Sequence, residues 1–257
     1  MGRATMSEMG ASGIAEMRDI PAEKLIQTRY SNSSMTVDGY ALTEMPYLTY
    51  EKGLNHEKAL LNGFNAKEAD VFLMGNKATA ENYETLLEPV FGKYAADAAA
   101  LVPAGSIPQG QKFIIDAGGD AKGSLDFLYS AAWFTWSHEL WSSYVASQGR
   151  PVYEYEFTKT NRSLSCFHAG EIPYAYGNLW RKPGIYDESD MELSRKMQSY
   201  WVNFVKTGDP NGDGLPVWEM RTADDLSILE LGEEIRMTED PYREVYPLLE
   251  AHQDSLP

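Results

Sequence analysis

The segment that most limits the possible folds is a long amphipathic helix followed at once by a strand. Through residues 124–149 apolar side chains recur at steps of three and four, and Gly149 stands where a helix C-terminal cap is expected. The next ten residues, PVYEYEFTKT, alternate so that Tyr153, Tyr155 and Phe157 share one face of a strand. A helix that leads into a buried strand favours a layered α/β architecture.

The rest of the chain continues this alternation. Helical patterns occur at residues 5–20, 21–30, 80–104, 190–206 and 242–252. The 190–206 pattern carries a predicted capping box of Ser189 and Glu192, and Gly208 is expected to end it. Short strands are predicted at 59–61, where Asn62-Gly63 is read as a closing turn, and at 226–231. The interleaving predicts an α/β fold.

Composition excludes some classes of partner. The 257 residues carry a net charge of −16, which argues against nucleic acid and acidic membrane surfaces. No stretch approaches the roughly 20 apolar residues of a membrane span, and the first residues lack a signal-peptide core. The single cysteine, Cys166, excludes an internal disulfide. We therefore expect no membrane association and a cytoplasmic location.

Two titratable residues follow predicted strands at the edge where ligands bind in open α/β sheets. His168, one of four histidines, follows the strand PVYEYEF, and Glu68 follows the strand at 59–61. A carboxylate that faces an imidazole fixes its tautomer and stabilises the imidazolium formed during acyl transfer. A purely structural ion pair between Glu68 and His168 would give the same sequence pattern.

Metal sites are not favoured. The stretch from Asp209 to Gly214 imitates the start of a calcium loop, but Met220 occupies the position of the bidentate glutamate. His168 and Glu171 have no second histidine at zinc-ligand spacing. We expect no metal and no cofactor.

Several motifs together carry a family resemblance. SCFHAGEIPYAYGN (165–178) is similar to the histidine segment of the type-B carboxylesterases, the cholinesterase-like branch of the α/β-hydrolases that includes para-nitrobenzyl esterases. GFNAKEAD (63–70) resembles their acid motif Gly-x-Asn-x-Asp-Glu-Gly, with Lys67 and Ala69 in place of Asp and Gly. VDG (37–39) and NFVKTGDPNGDGLPVW (203–218) follow the family's order.

The resemblance assigns expected roles to individual residues. Glu68 takes the place of the catalytic acid and His168 that of the general base, in the order that the fold requires. Glu171 matches a buried carboxylate that braces the histidine loop, although a plain salt bridge is an equal alternative. Glu81 follows another apolar run but lacks the motif's spacing. The tryptophans at 133, 136 and 141 pack the helix or line a substrate pocket.

The nucleophile is missing from the sequence. No Gly-x-Ser-x-Gly pentapeptide occurs, and the nearest stretch, Gly10-Ala11-Ser12-Gly13, has no strand before it. The oxyanion glycine run of the family is absent as well.

The resemblance therefore implies that residues 1–257 are the C-terminal half of an α/β-hydrolase carboxylesterase, mostly helical with the last strands of the central sheet. Its N-terminal half, with the nucleophilic serine, is expected on the same or a separate polypeptide. The substrate is expected to be a small ester, and the chain alone is expected to be inactive. Exposed apolar surface predicts self-association. The alternative is a non-catalytic, cholinesterase-like adhesion module.

Overall fold

The computed structural model describes residues 2–29, 35–110, 116–161, 166–222 and 225–255, and the chain divides into two compact units. The smaller unit, residues 1–49, contains helices α1 (Gly2–Met9), α2 (Ile14–Arg18) and α3 (Ala22–Leu25). The helix predicted at 5–20 is thus two helices, because Gly10 adopts a positive φ of 71° after α1. None of the described residues of this unit is buried.

The larger unit, residues 50–257, is built on one four-stranded sheet. Its strands are β1 (Leu60–Asn65), β2 (Val152–Phe157), β3 (Ser227–Leu231) and β4 (Ile235–Glu239), adjacent in that order. The first three strands are parallel and β4 is antiparallel to β3. The predicted α/β layering is confirmed, while β4 was not predicted.

Gly63 lies inside β1, so the prediction of a turn at Asn62-Gly63 was wrong. Gly63 is paired with Tyr155 of β2, and a Cβ at position 63 would lie 2.3 Å from the Tyr155 ring. The glycine therefore gives room for a neighbouring aromatic ring and does not end the strand.

Helices surround this sheet. They are α5 (Tyr83–Phe91), α6 (Ala95–Leu101), α7 (Lys122–Ser130), α8 (Trp136–Ser147), α9 (Ile172–Ala175), α10 (Glu188–Thr207) and α11 (Tyr246–Asp254), while α4 (Pro46–Glu51) spans the division between the two units. The long helix predicted over 124–149 is α7 and α8 joined by a π-helical segment at Ala131–Thr135. Gly149 follows α8 with a φ of 71°, as its predicted capping role requires.

The N-terminal cap of α10 differs from the prediction. Asp187 is the N-cap, and its side chain accepts hydrogen bonds from the backbone N–H groups of Ser189 and Asp190. The Asp187 N–H in turn donates to the Asp190 carboxylate. The capping box therefore uses Asp187 and Asp190, because the helix begins at Glu188, two residues before the predicted start. Gly208 ends α10 in the left-handed conformation, as predicted.

Both faces of the sheet are covered. The face with Tyr153, Tyr155 and Phe157 packs with Met197 of α10 and with Trp218, which confirms the predicted apolar face of β2. The opposite face packs with α5, α6, α7 and α11. β2 is consequently buried at every position and is paired with β1 and β3 on its two sides, so its ends are the parts left to position a site. Among the described residues, no helix combines the length and apolar character needed to cross a bilayer.

Candidate active site

The carboxyl ends of β1 and β2 lie side by side. Asn65, the last residue of β1, is paired with Phe157, the last residue of β2. The pairing resumes beyond the strands, where Lys67 forms an isolated parallel bridge with Phe167 and its N–H donates to the Cys166 carbonyl at 3.2 Å. The loops that carry Glu68 and His168 are therefore fixed against each other by backbone hydrogen bonds.

Glu68 and His168 form a direct hydrogen bond. Glu68 Oε2 lies 2.5 Å from His168 Nδ1, as predicted from the two strand ends. The Glu68 side chain is 5% exposed, whereas the imidazole is 43% exposed. An Nδ1–H donated to the carboxylate leaves Nε2 as the acceptor, and no described residue hydrogen-bonds to Nε2. The imidazole is thus anchored on one nitrogen and available on the other.

The second oxygen of Glu68 is bound by Asn65. Glu68 Oε1 accepts from the Asn65 backbone N–H at 2.8 Å and from Asn65 Nδ2 at 3.1 Å. The same Nδ2 donates to Glu171 Oε2 at 2.6 Å. Burial raises the pKa of Glu171, and the Asn65 hydrogen bond opposes that rise. Glu171 was expected either to brace the histidine loop or to form a plain salt bridge. In the structure it accepts a hydrogen bond from Asn65, and no described cation forms a salt bridge with it.

The histidine loop turns sharply after His168. Ala169 has a φ of 66°, and it is the one non-glycine residue with positive φ in the described part of the chain. A Cβ at Gly170 would lie 2.8 Å from the Phe167 carbonyl oxygen, so the following position also requires a small residue. A non-glycine residue in the left-handed region costs about 1 to 3 kcal/mol and is maintained by its surroundings.

Two aromatic rings flank the imidazole, and the sequence did not single them out. The ring centroids of Phe72 and Phe134 lie 5.3 Å and 5.0 Å from that of His168. Phe72 is 54% exposed and contacts Trp133 edge-on. The available signal was the position of Phe72 four residues after Glu68. Phe134 gave no such signal, and it lies in the π-helical segment that the sequence did not predict.

The three tryptophans separate into different environments. Trp133 lies beside Phe72 near the imidazole, whereas Trp136 packs on Tyr246 and Trp141 on Tyr50. Only Trp133 is therefore placed where it could contact a ligand at His168.

The competing candidates lie elsewhere. Glu81 is in an exposed turn before α5, and Glu68 is the carboxylate that reaches His168. Lys67 donates to the Gln109 carbonyl rather than to Glu68. Ser12 lies in the smaller unit, where its hydroxyl and N–H both bind Glu16.

The calcium-like loop is a backbone turn. Asp209 accepts from the N–H and Nδ2 of Asn211, which also exchanges hydrogen bonds with the Trp218 backbone. Within the described ranges, no group of three or more His, Cys, Asp or Glu side chains could hold a metal ion. The Asp209 carboxylate is thus used in a local turn.

Curated relatives match parts of the chain. Carboxylesterase 5A of Canis lupus familiaris is 40% identical over 88 residues, which cover 29% of this chain and 15% of that protein. Phenmedipham hydrolase of Pseudarthrobacter oxydans is 35% identical over 95 residues, which cover 33% of this chain and 19% of that protein. The matched segments are thus a minor part of these proteins.

Solved structures match nearly the whole chain. A carboxylesterase of Geobacillus stearothermophilus superposes with a TM-score of 0.78 at 20% identity, covering 95% of this chain and 53% of its own. A PNB esterase superposes with a TM-score of 0.71 at 24% identity, covering 96% and 53%. This chain therefore spans about half the length of these enzymes and has a C-terminal portion of the α/β-hydrolase fold.

The model of the carboxylesterase family matches residues 11–248, which includes both loops of the candidate site. The chain belongs to the carboxylesterase family.

Proposed function

We propose that this chain supplies the acid, Glu68, and the base, His168, of a serine carboxylesterase. The observation that carries the proposal is the hydrogen bond between buried Glu68 and His168 Nδ1, which leaves Nε2 accessible. This arrangement has the geometry of the two non-nucleophilic members of a hydrolytic triad. Glu171 braces the histidine loop through Asn65.

The reaction follows from these positions. His168 Nε2 takes the proton of a serine hydroxyl as the serine oxygen attacks the ester carbonyl, and Glu68 stabilises the imidazolium. The imidazolium then protonates the leaving alcohol, and the acyl-serine forms. Water, deprotonated by His168, attacks the acyl group; the bond to the serine oxygen breaks, the imidazolium returns its proton to that oxygen, and the acid is released. Phe72 and Trp133 provide exposed aromatic surface beside the imidazole for an apolar part of a small ester.

The nucleophile comes from a part of the enzyme that this sequence does not contain. The absence of a Gly-x-Ser-x-Gly pentapeptide supports this. β1 pairs on one side only among the described strands, so its other edge can receive another parallel strand. None of the described residues of the smaller unit is buried, so this unit needs a surface to fold against. We therefore assign residues 1–257 as the C-terminal half of a carboxylesterase domain, with the N-terminal half as its partner.

Hydrolysis of p-nitrophenyl butyrate tests the proposal. The purified chain is assayed alone and with an N-terminal carboxylesterase half that carries Gly-x-Ser-x-Gly. We expect no turnover above background from the chain alone and turnover from the pair. His168→Gln should abolish that turnover, whereas the exposed His56 changed to Gln serves as the matched control and should leave it unaltered.

Two outcomes contradict the proposal. Turnover by the isolated chain that is lost in His168→Gln would place a nucleophile within these residues. A stable complex of the two halves that never hydrolyses the ester would favour the non-catalytic adhesion module.

A further inference from the structure

We propose that Asn65 is a positioning residue that holds the Glu68 carboxylate in the orientation that His168 requires. The inference rests on the proposed function of Glu68 and His168. It concerns a residue that touches neither the serine nor the ester and acts through Glu68.

Asn65 provides every hydrogen bond to the distal oxygen of Glu68 that the described residues make. Its backbone N–H and its Nδ2 both donate to Oε1, at 2.8 and 3.1 Å. With Oε1 fixed at two points, rotation of the carboxylate is blocked and Oε2 remains directed at His168 Nδ1. A carboxylate held by the backbone N–H alone could rotate about that single bond.

Asn65 also connects the two loops of the site. Its Nδ2 donates to Glu171, which lies three residues after His168. The three hydrogen bonds Asn65–Glu68, Glu68–His168 and Asn65–Glu171, together with the backbone from 168 to 171, close a ring across about a hundred residues of sequence. Because this ring contains both ends of the Glu68–His168 bond, it resists separation of the loops. Backbone pairing between Lys67 and Phe167 fixes the chain, and the ring fixes the side chains.

The chemistry of the position requires an amide. Nδ2 lies between two carboxylates, Glu68 and Glu171, where a donor is needed, and a third carboxylate would repel both. Asn65 is 2% exposed, and its Oδ1 has no hydrogen-bond partner among the described residues. A buried carbonyl without a donor is costly, and the hydrogen bonds that Nδ2 donates to the two carboxylates offset this cost. The hydrogen bonds that Nδ2 donates therefore account for the burial of the Asn65 side chain.

Proton NMR of the full chain, labelled with ¹⁵N-histidine, tests the inference. The short Nδ1–H···Oε2 bond should give a strongly downfield proton resonance, assigned by its loss in His168→Gln. We expect Asn65→Leu and Asn65→Asp to lose this resonance or move it upfield.

The matched control is Asn62 on the same strand. It is 6% exposed, and its Nδ2 binds the His138 carbonyl and Ser142 on α8 instead of the site. Asn62→Leu should perturb the fold to a similar degree and keep the downfield resonance.

The outcomes separate this inference from the proposed function. Wild-type chain without the resonance contradicts the Glu68–His168 pair and with it both proposals. A resonance that is present in the wild type and unchanged in Asn65→Leu overturns the positioning role alone. If both Asn65 variants fail to fold, the wild-type Asn65 Nδ2 protons decide. They should lie downfield, and shifts typical of a solvated amide would overturn the inference.

Discussion

The carboxyl group of Glu156 makes the stability of the fold depend on pH in a predictable direction. Glu156 is the next-to-last residue of β2 and is 8% exposed. Burial raises its pKa from an ordinary 4.5 to about 8, and the nearby carboxylates of Asp240 and Glu230 raise it further in the same direction. The folded chain therefore holds a proton that the unfolded chain releases.

The magnitude follows from linkage. Each pKa unit corresponds to about 1.4 kcal/mol, so ionised Glu156 destabilises the fold by about 3 to 5 kcal/mol. The associated stability is fully present below pH 4.5. It is lost as the pH rises through about 8, because the unfolded chain ionises first. Glu156→Gln keeps the shape of the protonated side chain and cannot ionise.

Urea unfolding followed by tryptophan fluorescence at several values between pH 5 and pH 8.5 measures this effect. We expect Glu156→Gln to resemble the wild type near pH 5 and to be more stable by several kcal/mol at about pH 8. The exposed Glu250 changed to Gln is the control and should follow the wild type throughout. A constant difference between Glu156→Gln and the wild type across this range would refute the reasoning.

Three further outcomes are expected. Arg221→Met leaves two buried carboxylates without their shared cation and should reduce the free energy of unfolding by about 3 to 5 kcal/mol in urea, whereas Arg236→Met, which breaks an exposed pair, should cost less than about 1 kcal/mol. An equal loss in both would contradict the difference in burial. Gly63→Ala places a methyl group against Tyr155 and should cost about 1 to 3 kcal/mol by thermal unfolding, while Gly75→Ala enters open space and should be near neutral. Sedimentation should show association of the chain through its uncovered apolar surface, and a monodisperse monomer would contradict this.

Much of the fold was accessible from periodicity. The alternation in β2 and the apolar stripe of α10 each correspond to a face in contact with one core, and such patterns survive in any compact arrangement. The failures occurred where a neighbour distant in sequence decides the local structure. Gly63 continues a strand because Tyr155 lies against it, and the π-helical segment at 131–135 interrupts a pattern that reads as one helix.

The candidate site likewise has residues that the sequence identified and residues that only packing brought into it. Glu68 and His168 were identified because each follows a strand and matches a family motif, and parallel strands bring such ends together. The sequence did not identify Phe72, Phe134 or the double role of Asn65, because their relation to the imidazole depends on how the loops and α7–α8 pack.

The sequence by itself determined the order of helices and strands, the two titratable residues and the absence of a Gly-x-Ser-x-Gly pentapeptide, since these depend on residue type and spacing along the chain. Only the tertiary structure decided which oxygen of Glu68 meets His168, which amide holds the other oxygen, and which rings flank the imidazole. Hydrogen bonds are directional and act over about 3 Å, so they are specified only when residues a hundred positions apart are brought into contact.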